Sequence, residues 1–131
     1  MAQIQLVIVT PEKTTLDQMV DAVTLTLFDG EAGFLPGHAP MIGRLGPGEL
    51  RARVGSEESR YYVEGGNVRV ENNVVPVWTG QSMGVDEIDL AAAKTALEAA
   101  EAESASTPAL AEMKQKAIAE AQAKIRIASK A

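Results

Sequence analysis

All 11 glycines of this 131-residue chain lie between Gly30 and Gly84, and residues 85–131 contain none. Alanine does the reverse, filling sixteen of the forty-one positions from 91 to 131. Glycine permits the backbone angles of tight turns and weakens helices, whereas alanine is the strongest helix former. The chain therefore divides into a turn-rich part, residues 1–85, and a helical part, residues 86–131.

The first part reads as short strands. Ile4 to Val9 is a compact apolar run. Val23, Leu25 and Leu27 alternate with Thr24, Thr26 and Phe28, Leu50, Ala52 and Val54 with Arg51 and Arg53, and Val68 and Val70 with Asn67, Arg69 and Glu71. A period of two with β-branched residues marks a strand with one buried face. Turn signals separate these runs at Asp29-Gly30, Gly46-Pro47-Gly48, Gly55-Ser56, Gly65-Gly66 and Asn72-Asn73. Many short strands at roughly ten-residue spacing point to a sandwich or barrel. Pro76 lacks an N–H and assigns the Val74–Trp78 run to a sheet edge or a bulge.

The second part reads as a helical hairpin. Asp86 is placed to cap a first helix, with Leu90, Ala93, Leu97 and Ala100 on one face. Ser104 to Thr107 is a polar break, and Thr107-Pro108 suits the start of a second helix with the stripe Leu110, Met113, Ala117, Ala121, Ile125 and Ala128. Residues 86–103 carry six acids against Lys94. Residues 104–131 carry Lys114, Lys116, Lys124, Arg126 and Lys130 against Glu112 and Glu120. The helices attract when folded together; separated, the second offers a basic stripe to an acidic partner. A permanently packed hairpin with solvated faces fits the same charges.

Composition excludes several functions. A net charge of -6 and a pI near 4.8 argue against nucleic-acid binding. Without cysteine, disulfides and thiolate metal sites are ruled out, and a single histidine, His38, cannot build a multi-histidine metal centre. No phosphate loop, dinucleotide fingerprint or nucleophile elbow is present, and no catalytic residue, metal or cofactor is expected. The start, MAQIQLVIVT, has no basic segment before its apolar run, which predicts no signal peptide, and no apolar run is long enough to span a bilayer. Glu57-Glu58 reads as a solvated hairpin tip.

The most constrained stretch is Gly30-Glu31-Ala32-Gly33-Phe34-Leu35-Pro36-Gly37-His38-Ala39-Pro40, which presents Glu31 and His38 on a stiff backbone, as a binding loop or as a crossover fixed for topology alone. With Met41, it resembles the G-E-x-G-x-L-P-G-H-A-P-[LM] signature of ATP synthase epsilon subunits. Leu45-Gly46-Pro47-Gly48-Glu49-Leu50-Arg51, Tyr62 to Val70 and Asn73 to Val77 are similar to further motifs of that family, in the same order.

The resemblance implies a ten-stranded β-sandwich followed by a two-helix C-terminal domain, with no catalytic residues. It implies docking of the sandwich on the gamma subunit and the c-ring, at the cytoplasmic face of a bacterial plasma (inner) membrane, and coupling of proton-driven rotation to the catalytic sector. Glu31 and His38 match motif positions facing the c-ring. Glu31 is expected to meet ring cations, and His38 to serve the loop's own structure more than the contact. The tail is expected to inhibit ATP hydrolysis through Lys114, Lys116, Lys124 and Arg126 near an acidic segment of the catalytic beta subunit. Some bacterial members bind ATP through [IL]-D-x-x-R-A. Here Ile88-Asp89-Leu90-Ala91 matches, but Ala92 stands where arginine belongs and Glu120 would repel phosphate, so Asp89 and Lys124 remain as a weakened nucleotide site. The rival readings are a β-sandwich interaction module of another assembly, a metal-dependent β-barrel enzyme that a single histidine argues against, and the homologous delta subunit of an organelle.

Overall fold

Strand β1, Ile4–Val9, buries Ile4, Leu6 and Ile8 and turns the residues between them outward, as its period of two requires. The computed structural model describes residues 2–129. After β1 come β2 (Thr14–Val20), β3 (Ala22–Leu27), β4 (Gly30–Phe34), β5 (Met41–Val54), β6 (Glu57–Val70), β7 (Val74–Trp78) and β8 (Ser82–Gly84). The sheet order is β2-β1-β7-β6-β5-β3-β4, with β8 on β6. β1 and β7 pair in parallel and the other pairs are antiparallel. One core joins Ile4, Leu6, Ile8, Val23, Leu25, Phe34, Leu45, Leu50, Val63, Val68, Val75 and Val77. β2, at one end of this path, also reaches β5, so the sheet folds over that core as a sandwich.

Two expected turns lie inside strands. β5 and β6 are each 14 residues long and run through Gly46-Pro47-Gly48 and Gly65-Gly66. The ladder steps from Leu45↔Gly66 to Pro47↔Glu64, passing over Gly46 and Gly65, so both strands bend together. Counting each long strand as two at this bend gives the ten expected. The glycines are required by packing. At Gly66, with φ 109°, a Cβ would lie 1.8 Å from the Trp78 carbonyl oxygen. At Gly48, it would lie 2.9 Å from Thr26 Cβ.

Asn72-Asn73 does form a two-residue turn, with φ 52° and 62° and reciprocal backbone bonds between Glu71 and Val74. β7 is an interior strand, so of the two readings of Pro76 the sheet edge does not hold, and the ladder is instead interrupted there. Pro76 is tolerated because the β6 ladder stops at Val68↔Val77, leaving it paired only on the β1 side, opposite Val7. β2 and β4 were not legible as strands: β2 is largely exposed, and β4 holds two glycines in five residues.

The chain divides into two compact units, one ending at Gly84 and one beginning at Val85. In the second, a 3-10 turn (Val85–Glu87) precedes α1 (Leu90–Ala102) and α2 (Pro108–Ser129), which pack against each other. Asp89, not Asp86, is the N-cap of α1: its backbone is extended and its Oδ1 accepts from the Ala92 amide at 3.0 Å. Asp86 lies within the 3-10 turn. Thr107 Oγ1 accepts from the Leu110 amide at 3.1 Å, so α2 starts as expected. Leu90, Ala93, Leu97 and Ala100 are the inward positions of α1. In α2 the expected stripe is displaced at its start. Leu110, Met113 and Ala117 are exposed; Ala121, Ala123 and Ile127 are the buried residues of α2, and Ala111, Lys114, Ile118, Glu120, Lys124, Ile125 and Ala128 are partly shielded. Alanine is so frequent here that it marks no side, and Leu110 and Met113 indicate the wrong one. Lys130 lies outside the described residues.

Candidate docking site

Residues of one parity on β4, β3, β5 and β6 share a face of the sheet, because side chains alternate along each strand. Glu31 stands opposite Thr26, Thr24 opposite Arg51, and Arg51 opposite Arg60. Two arginines directly across a ladder repel. Glu49, two residues before Arg51, resolves the conflict: it takes Arg51 Nη1 at 2.8 Å on Oε1 and Arg60 Nε at 2.6 Å on Oε2. Arg51 Nη2 also reaches Glu31 Oε1 at 3.0 Å, and its Nε lies 4.0 Å from Glu58.

Burial separates the three acids. Glu49 is 9% exposed, whereas Glu31 and Glu58 are 57% and 50% exposed. Burial alone would raise the Glu49 pKa, but the two guanidiniums outweigh it and hold the carboxyl below the usual glutamate range. The Arg51 guanidinium is correspondingly raised by hydrogen bonds to Glu49 and Glu31. Asp21 is also held low, chiefly by accepting from the Gly55 amide at 2.6 Å.

His38 is built into its loop. Its Nδ1 lies 2.7 Å from the Ala39 carbonyl, so Nδ1–H donates. Its ring meets Phe34 edge-on with centroids 5.1 Å apart, and the Gly37 amide donates to Asn73 Oδ1 at 2.7 Å. Glu31 and His38 lie at the two ends of one segment but share no bond. On the same unit, Phe28 and Ile42 line one groove with Arg44; they are 66% and 76% exposed, and the Arg44 guanidinium covers the Phe28 ring at 5.2 Å. Exposed large apolar groups rimmed by charge are the chemistry of a docking surface. The Glu49–Arg51–Arg60 cluster was missed from sequence: the alternation places Arg51 on an outer face, but only the register reveals Arg60 opposite.

In the tail, Lys114, Lys116, Lys124 and Arg126 do not form the basic stripe expected. At about 100° per residue they spread around α2. Lys114 and Lys124 are half-buried, and Lys116 and Arg126 are exposed. Asp89 is engaged in capping α1. Among the described residues, no helix is long and apolar enough to cross a membrane, and no group of three or more acids or histidines is placed to hold a metal ion.

Comparison with known proteins places these features in a family. Residues 3–83 match the beta-sandwich domain of the ATP synthase delta/epsilon chain. An ATP synthase epsilon chain of Rhodopirellula baltica is 48% identical over 94% of this chain and 96% of its own length. One from Syntrophobacter fumaroxidans is 38% identical over 98% and 97%. Among solved structures, a chain of the Euglena gracilis mitochondrial ATP synthase, in an assembly that includes the c-ring, superposes with a TM-score of 0.85 at 27% identity, covering all of this chain and 83% of that one.

Proposed function

Because this chain belongs to the ATP synthase delta/epsilon family, we propose that it is the non-catalytic epsilon subunit of an F-type ATP synthase central stalk, coupling c-ring rotation to the catalytic sector. The observation that carries this reading is the 48% identity to an epsilon chain, which extends through both units over 94% of the chain. Its work is mechanical. Transmitting torque needs a stiff body and several separate contacts, and the bend shared by β5 and β6, the clamped His38 loop and the paired charges supply stiffness.

The partners are the gamma subunit, the c-ring and the catalytic beta subunit. The sandwich docks on the first two, with Glu31 meeting ring cations and Phe28 and Ile42 adding apolar area. His38 fixes the loop that carries the contact. The chain is peripheral, held through its partners at the cytoplasmic face of a bacterial plasma membrane. The second unit is the regulatory tail, in which Lys116 and Arg126 are open to an acidic partner in the hairpin and Lys114 and Lys124 become so when the helices separate. ATP is not expected to bind Asp89 and Lys124 strongly, since Asp89 is engaged as a cap; calorimetric titration with ATP checks this.

Reconstitution into an ATP synthase stripped of this subunit tests the reading. Restored coupling of proton flow to ATP synthesis supports it. Failure to join the complex, or turnover by the isolated chain, contradicts it.

A further inference from the structure

Arg51 serves three carboxylates, and they differ in how much they need it. Glu49 is almost buried and would be costly to leave uncompensated. Glu31 and Glu58 are hydrated and need it least. Glu49 also has Arg60. Across the five groups, three acids face two bases, so one negative charge is left over, and it falls on the exposed members. Arg51 touches Glu31 through one guanidinium nitrogen and one carboxylate oxygen, at 3.0 Å. A carboxylate has about four lone-pair sites, so Oε1 can keep Arg51 while Oε2 accepts a second cation.

We propose that Arg51 is a positioning residue for docking: anchored by Glu49, its guanidinium holds the Glu31 side chain in one conformation with a free oxygen for a cationic partner group. This rests on the reading of Glu31 as a docking carboxylate and adds the residue through which Glu31 is set. A freely rotating glutamate loses conformational freedom when it binds, and one already braced loses less. The fork is essential. Its separate nitrogens reach Glu49 and Glu31 at once, which the compact ammonium of a lysine would not.

The test is a double-mutant cycle on the full chain, reading affinity for a purified complex of gamma and c-ring that lacks this subunit. Glu31→Gln weakens binding. Arg51→Gln weakens it by about two- to fivefold, the scale of an exposed ion pair, and adds nothing once Glu31→Gln is present. Arg51→Lys keeps a cation beside Glu49, melts close to the unaltered chain, and still shows the loss. NMR couplings of the isolated chain show Glu31 in one rotamer, and averaged in Arg51→Gln. An equal loss with and without Glu31, tighter binding by Arg51→Gln, full binding by Arg51→Lys, or an already averaged Glu31 in the unaltered chain would overturn the positioning role. If Glu31→Gln has no effect while Glu31 is braced as described, the docking reading of Glu31 fails and the brace has no function in binding.

Discussion

Gly66 shows how a single position can dictate sequence. Its φ of 109° disfavours any side chain, and the Trp78 carbonyl occupies the space a Cβ would take. Gly66→Ala should cost on the order of 3 kcal/mol or more, read as a lower urea midpoint, because both backbone strain and displacement of β7 contribute. Glu49 is the electrostatic counterpart. Glu49→Gln leaves Arg51 facing Arg60 and should cost about 2 kcal/mol, less than a fully buried pair because both arginines are part-exposed. The sign of the pH dependence follows from the depressed pKa values. Glu49 and Asp21 stabilise fully above their unfolded values, and the contribution is lost as pH falls through the lower folded ones. Urea midpoints should therefore drop below about pH 4, and Glu49→Gln should shallow that drop while Asp21 maintains part of it.

Among the elements, α1 depends on its cap. Asp89→Ala removes the acceptor for the Ala92 amide and should cost about 1 kcal/mol, seen as faster amide exchange in the first turn, whereas Asp86→Ala should leave that exchange unchanged. The sequence favoured Asp86 because it begins an acidic run, and nothing in the residue types shows that Val85–Glu87 forms its own turn. The strands divide in the same way. β3 was readable because its apolar alternation is clean, and β1 and β7 because they are compact apolar runs. β5 and β6 were legible only in pieces, since glycine and proline mark a turn and a shared strand bend alike until the two strands are seen side by side. Glu31 and His38 could be named from their motif, but Arg60 becomes Glu49's partner only through register. The tail lysines looked like a stripe because charge was counted along the chain rather than around the helix.

At the scale of the molecule, the two units carry different tasks under the proposed function. The sandwich carries Glu31 together with exposed Phe28 and Ile42, and the helical unit supplies a hairpin with cations on several sides. If the tail restrains hydrolysis, truncation after Asp89 should raise ATP hydrolysis by the assembled enzyme while leaving docking intact; an unchanged rate would remove the inhibitory role without touching the coupling one. The most direct measurement of the central claim is binding of the purified chain to isolated gamma subunit, followed by light scattering and size-exclusion chromatography. A stable one-to-one complex, retained when the helical unit is removed, is the predicted result. Two species that elute separately at every concentration tried would contradict the assignment of this chain to the central stalk.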